Sequence, residues 1–259
     1  MKKAFCFLIC LLSFPPAASA FSVSHDFTVF LGPFNASETH FTYALTPDNY
    51  AVNSTVKTFG MFDTLYPFKA EYATTGRIQK DGLATTGYKY ASQSRFSRRT
   101  KEMVYDQNGL PIYRISSKNG KKKKVKITPD PDNRDTTDLQ TVFAELSRQY
   151  NQLRFCDSRM QVFDGKRRFD VIFKDEGKEE LSANEYRPYA GTAAKCSMYI
   201  DKLDSEGDDL LWQISSDRPI YFWILSDDKT KLPFIAQIEI ESTPLGKMNV
   251  YTHNITIKE

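Results

Sequence analysis

The feature that most constrains this chain is a long succession of short runs rich in Val, Ile, Thr, Tyr and Phe, each closed by turn-forming residues. In the first half such runs predict strands at 26–34, 38–46, 50–58, 70–79, 83–96, 101–105, 112–116 and 122–128. Between them stand Pro47-Asp48-Asn49, Asp81-Gly82, Asn108-Gly109 and Asn119-Gly120, residues that preset a turn or tolerate positive φ. Parallel neighbours need long crossovers, so connections this short dictate an antiparallel meander. Further runs at 159–163, 168–174, 180–183, 195–202, 220–226, 234–242 and 247–257 continue the pattern, with hairpin turns at Asp164-Gly165 and Leu245-Gly246.

One helix interrupts the strands. Leu139, Val142, Phe143, Leu146 and Tyr150 recur at helical spacing and share a face, which predicts a helix over 137–150. Thr137 with Gln140 fits a capping box, and Asp135 and Asp138 suit the positive end of the helix dipole. The proline-rich stretch 129–133 before it is too short to separate independent domains. Alternation differs along the chain: 234–241 is apolar on one face only, whereas the strands at 27–34 and 220–225 are apolar on both. Two-faced strands need cover on both sides. The expected fold is therefore mainly β: a strongly curved antiparallel sheet, a half-barrel or open barrel, packed around one central α-helix, with 21–259 as a single domain.

The first twenty residues read as a signal peptide. Lys2 and Lys3 precede a short apolar run, and Ala18-Ser19-Ala20 forms a small-x-small cleavage site before Phe21. Bulky Ile9 before Cys10 disfavours a lipid-modified cysteine. No stretch reaches the roughly 20 apolar residues of a spanning helix. Export to the periplasm is the expectation. Lys and Arg number 35 against 32 Asp and Glu, and loss of Lys2 and Lys3 leaves a net charge near +1, which argues against nucleic acid as a partner.

Cleavage leaves two cysteines, Cys156 and Cys196. In an exported chain such a pair is most simply a disulfide, and closing a loop of 40 residues is worth roughly 3–4 kcal/mol in the chain-entropy model. There is no C-x-x-C, and no His lies near enough in sequence to complete a zinc site.

Chemical motifs are mostly absent: no phosphate-binding loop, dinucleotide fingerprint, H-E-x-x-H or G-x-S-x-G occurs. His25, His40 and His253 would converge, as a zinc site needs, if the first, second and last strands are neighbours, yet read best as ordinary surface or hydrogen-bonded histidines. The acidic pairs Asp175-Glu176, Glu179-Glu180 and Asp227-Asp228 read as hydrophilic turns. The lysines at 121–124 fit a defence against edge pairing, and Arg167 and Arg168 are placed to pair with Asp164 or Asp170 at a hairpin. Arg95, Arg98, Arg99 and Lys101 surround Phe96 in a second basic cluster. Residues 61–68 are dense in apolar side chains for a connection. Met61, Phe62, Leu65, Tyr66 and Phe68 are thus candidates for the mouth of an apolar lumen, the alternative being packing over an open sheet end.

Phe155-Cys156, the run Val162-Phe163-Asp164-Gly165-Lys166-Arg167-Arg168-Phe169-Asp170-Val171, and Tyr189-Ala190-Gly191 followed by Cys196 together resemble a bacterial exported family, domain of unknown function 3108. Trp223, Leu232-Pro233 and Thr243-Pro244-Leu245-Gly246 fit the same pattern, as do Gly60, Gly76 and Gly82 more weakly. The resemblance implies a cell-envelope protein without an established activity, and a curved sheet with an enclosed helix similar to that of the periplasmic lipoprotein carriers. Fold-level analogy alone licenses no ligand. The functional expectation is a non-enzymatic envelope protein without cofactor or metal that binds an apolar or amphipathic, lipid-like molecule. The alternative is a structural or protein-interaction module with an envelope protein as its partner.

Overall fold

The computed structural model describes residues 21–80, 82–203, 218–243 and 246–258. The segment 1–20, read above as a signal peptide, and most of the acidic loop at 203–209 lie outside the described residues. The strands are β1 (Phe21–Leu31), β2 (Phe34–Leu45), β3 (Asn49–Thr58), β4 (Phe68–Gln79), β5 (Gly82–Ser94), β6 (Arg98–Tyr105), β7 (Pro111–Lys118) and β8 (Lys121–Lys126). Helix α1 (Gly60–Leu65) joins β3 to β4, and α2 (Leu139–Leu153) follows β8. The chain continues through β9 (Ser158–Phe163), β10 (Arg168–Leu181), β11 (Gly191–Lys202), β12 (Ile220–Ser226), β13 (Pro233–Thr243) and β14 (Gly246–Lys258).

All fourteen strands form one antiparallel sheet in the order β8-β7-β6-β5-β4-β3-β2-β1-β14-β13-β12-β11-β10-β9. Two consecutive meanders are thus fused through the pairing of the first strand with the last, Val29 opposite Val250. The edge strands β8 and β9 do not pair with each other, so the sheet curves without closing into a barrel. The segment entering α2 runs along the free edge of β9 and reaches β5. Thr137 donates to Gln161 O (3.1 Å) and accepts from Phe163 N (3.1 Å), while Thr85 N donates to Thr136 O (3.4 Å). Arg168 anchors the same segment through Asp132 (3.0 Å).

Helix α2 lies against the concave face. Its N-cap is Asp138 rather than Thr137, because the carboxylate accepts from both Gln140 N and Thr141 N. Val142, Leu146 and Tyr150 pack with Phe173, Met198 and Phe222, whereas Ala144 turns to Val23, Tyr43 and Val52. The helix is enclosed along two flanks, which buries Glu145 as well; Arg148 pairs with it at 2.7 Å.

The strands apolar on both faces find their outer cover in residues 182–190. Trp223 and Leu225 pack outward with Leu181, Phe234 and Tyr189, while Phe222 and Ile224 join the helix-side core. Phe30 lies against Tyr186 at 4.3 Å between ring centres. The buried Arg187 pins this cover by donating to Tyr189 O (3.2 Å), Ser182 O and the Gln237 side chain.

Four expectations are corrected. The strands predicted at 168–174 and 180–183 are one strand, β10, bulged between Asp175 and Lys178 with Gly177 at φ 92°. The acidic pairs there are consequently not turns: Glu179 meets Lys195 on β11 (3.1 Å) and Glu176 accepts from Ser197 (2.5 Å). Phe34 begins β2, because the chain turns at Gly32. Residues 60–65 form a helix where an irregular connection was expected. Cys156 and Cys196 are bonded, both buried, with Cα atoms 6.0 Å apart. The link ties the α2–β9 connection to β11 across β10.

Candidate functional site

A cavity of about 510 Å3 lies between α2 and the concave face. Phe27, Val29 and Phe41 come from β1 and β2, Tyr72, Tyr88, Met103 and Tyr105 from β4 to β6, Ile235, Ile238 and Val250 from β13 and β14, and Leu139 and Phe143 from the helix. The lining is chiefly apolar and aromatic. Its half-exposed members include Thr39, Ser54, Tyr72 and Lys101, on the strand rows toward α1, so the cavity opens on the side that α2 does not fill. Burial pushes the Tyr72 phenol up to about 12 and raises those of Tyr88 and Tyr105 further, which keeps all three neutral.

Polar groups enter at three places. His25 on β1 is buried, its ring stacked on Phe27 at 5.3 Å, and desolvation lowers its pKa to about 4 against the opposing pull of Asp26. Its Nδ1 has no hydrogen-bond partner among the described residues. Asp138 is fully enclosed, which raises its pKa, and its carboxylate accepts from the Thr85 (3.1 Å) and Thr141 (2.7 Å) hydroxyls besides capping α2.

The third place is the β9–β10 turn. Lys101 Nζ donates to the main-chain oxygen of Asp164, Arg114 Nη1 to that of Gly165 (3.2 Å), and Arg167 grips the Asp164 carboxylate through Nε (2.8 Å) and Nη2 (2.5 Å). Burial would raise the Asp164 pKa, but Lys101 and Arg167 hold it below the usual carboxylate range. Burial lowers the Lys101 pKa. Gly165 has φ 87°, and a Cβ there would come within 2.4 Å of Met103 Sδ, so only glycine lets this turn approach β6.

The candidates from sequence fall elsewhere. None of Met61, Phe62, Leu65, Tyr66 and Phe68 lines the cavity. The first four belong to α1 and its C-cap, where Met61, Leu65 and Tyr66 are exposed; Phe68 starts β4, on the face that also bears Ala70 and Tyr72. This segment sits at the open end, tied to the β5–β6 turn by Arg95, whose Nη2 donates to Thr64 O (3.4 Å), beside exposed Phe96. His40 and His253 lie on the opposite face from His25, where His40 Nδ1 meets Asp26 at 2.6 Å and His253 Nδ1 meets Thr28 at 3.2 Å. Among the described residues no group of three His, Cys, Asp or Glu side chains could hold a metal. The lysines at 121–124 lie on the edge strand β8, and Lys124 stacks over Tyr113 at 3.7 Å.

The sequence singles out His25 as one of three histidines and Lys101 as one member of a basic cluster, but places neither in the cavity that both line. A signal existed in strand parity: Lys101 shares its face with Met103 and Tyr105, and His25 shares one with Val23 and Phe27.

These features define a class: a curved antiparallel sheet wrapped on one helix, with an apolar cavity charged at one end. The chain belongs to the family described as protein of unknown function DUF3108, whose model matches residues 26–247. Among solved structures it is similar to the β-barrel-like protein of domain of unknown function DUF1849 from Brucella abortus, at 10% identity and a TM-score of 0.48, over 93% of this chain and 98% of that one. No curated protein matches it. Among the described residues no helix is long and apolar enough to cross a membrane.

Proposed function

We propose that this chain is a non-enzymatic protein of the cell envelope, exported to the periplasm by cleavage after Ala20, that takes an apolar or amphipathic, lipid-like molecule into the cavity beneath α2. The observation that carries this reading is the cavity itself. Its volume of about 510 Å3 lies within the ~300–1,000 Å3 usual for small-molecule sites, and its lining joins many apolar groups to a few polar ones. The compartment is supported by the Lys2-Lys3 start, the apolar run and the Ala18-Ser19-Ala20 triplet, and by a disulfide of the kind that persists in oxidising surroundings.

The test is saturable binding of N-phenyl-1-naphthylamine to the purified mature chain, with native mass spectrometry of protein taken from its own envelope. Binding should raise the melting temperature, by the equivalent of about 2.7 kcal/mol at a hundredfold excess over Kd. Val29→Trp should fill the cavity and abolish binding while leaving the protein folded. A probe that does not bind, or that binds the Val29→Trp variant equally well, overturns the proposal. Amino-terminal sequencing of the exported protein should return Phe21-Ser22-Val23, and an intact leader would refute the processing.

A further inference from the structure

We propose that the open end of the sheet is a membrane-docking surface, built from α1 and the β5–β6 and β7–β8 turns, that seats on a bilayer containing anionic phospholipid. This goes beyond the cavity-binding reading and does not depend on it.

Three connections meet at that end. Arg95 in the β5–β6 turn donates to Thr64 O on α1 (3.4 Å). Asn119 in the β7–β8 turn donates its main-chain N–H to Arg98 O (2.8 Å) and accepts from Arg98 N through Oδ1 (2.7 Å). The tip they share is apolar and uncovered. Of the ten large apolar side chains that stay exposed among the described residues, Phe59, Met61, Leu65, Tyr66 and Phe96 belong to it, with Leu65 66% and Phe96 75% exposed. Single exposed apolar residues are ordinary on a protein surface, whereas such a concentration marks a contact site. No residue of α1 is buried, so the tip projects, as entry into a headgroup layer requires.

Charge around the tip identifies the partner. Between Gly82 and Lys126 stand 12 Lys and Arg against only Glu102 and Asp106, although the whole chain has 35 basic against 32 acidic residues. Arg99, Lys118 and Lys121 lie directly opposite one another across β6, β7 and β8, a row of like charges on one face that is unfavourable in water. Arg95 and Arg98 flank Phe96. None of these five cations forms an ion pair among the described residues. The nearby acids are engaged or placed elsewhere. Asp63 accepts from the Thr58 hydroxyl (3.0 Å), and Glu71 meets Lys69 at 2.6 Å. Glu102 alternates to the opposite face of β6 from Arg99, and Asp106 lies past the far end of that strand. The acidic run at 204–209 belongs to the β11–β12 connection, and β12 is seven strands along the sheet from β5. An apolar tip within a basic collar matches the two layers a bilayer offers, acyl chains beneath and phosphates around. Arg99 shares its face of β6 with Lys101, which lines the cavity, so a docked bilayer lies at the cavity mouth.

The experiment is flotation of the purified mature chain with vesicles of phosphatidylcholine containing about 30% phosphatidylglycerol, against vesicles of phosphatidylcholine alone. The chain should bind the anionic vesicles about tenfold or more tightly, and raising the salt to about 0.5 M should weaken that binding. Leu65→Ser combined with Phe96→Ser should weaken it about tenfold, as should the triple variant Arg99→Gln, Lys118→Gln, Lys121→Gln. Lys122→Gln, Lys124→Gln, Lys126→Gln removes equal charge from the other face of the sheet and should weaken binding less than roughly threefold. All these side chains are exposed, so the melting temperature should stay near that of wild type and separate lost docking from lost folding. Val29→Trp should dock normally, so docking and cavity binding can fail independently. Failure to float, equal binding to both vesicles, equal losses in the two triple variants, or undiminished binding by the Leu65, Phe96 variant overturns the inference. Binding of soluble polyglutamate without vesicle binding would also overturn it and would assign the surface to an acidic polypeptide.

Discussion

His25 is an imidazole surrounded by Phe27, Phe41 and Phe234, held neutral because burial removes the water that would stabilise its charge. Its pKa of about 4 when folded, against 6.5 ordinarily, means the unfolded chain binds the extra proton first as pH falls. Stability therefore rises with pH across this window; the contribution is complete above about 6.5 and lost toward 4. The loss is on the order of 3 kcal/mol. Asp138 runs the other way, because its raised pKa makes the folded chain the better proton binder just above 3.8. Comparing urea denaturation of wild type and His25→Phe from pH 4 to 7 isolates the first effect. The variant should lose most of that slope, and an unchanged slope would show that His25 is not the group titrating. Asp138→Ala should cost about 1–3 kcal/mol by removing the cap and stranding two hydroxyls, whereas Asp138→Asn keeps acceptors and should cost less.

At the scale of elements, α2 and the cover at 182–190 make the sheet a three-layer structure locally, with β12 apolar on both sides for that reason. Alternation in 220–225 was enough to demand two covers. It left loops or a partner as the outer one and could not choose between them, because the anchor is one buried arginine bonded to carbonyls and an amide, a pattern without periodicity. Arg187→Met should destabilise by about 1–3 kcal/mol, since Gln237 and two main-chain oxygens lose their donor. It should leave probe binding intact, because the cavity lies on the other side of the sheet; loss of binding at full folding would contradict this two-sided arrangement. The disulfide was legible because only two cysteines follow residue 20. Its loss through Cys156→Ser or Cys196→Ser should cost about 2–5 kcal/mol in chemical denaturation, as is typical for a native bridge.

At the scale of the whole molecule, meander and helix were readable from local pattern, but the joins between distant segments were not. Pairing of β1 with β14 spans nearly the whole chain, and fusion of the acidic runs into β10 depends on a bulge and on Lys195 across the ladder. Lys101 reads as one member of a basic cluster until the β9–β10 turn, more than 60 residues later, is brought over it. The two meanders thus meet twice: through the β1–β14 ladder, and across the open edge through the α2 entry and this turn.

That second meeting is testable at Gly165 and Met103, which come from opposite halves of the chain. Gly165→Ala should cost about 1–3 kcal/mol, from backbone strain at φ 87° and from a Cβ driven into the Met103 thioether. Met103→Ala should cost about 2–5 kcal/mol by emptying a buried site. If the turn closes onto β6, the double variant should lose less than the two costs combined, because the new methyl enters space the thioether has left. Direct contact predicts a coupling energy of about 0.5–3 kcal/mol. Additive losses would mean the halves do not touch at this turn, and the Lys101 end of the cavity would lose the wall that holds it.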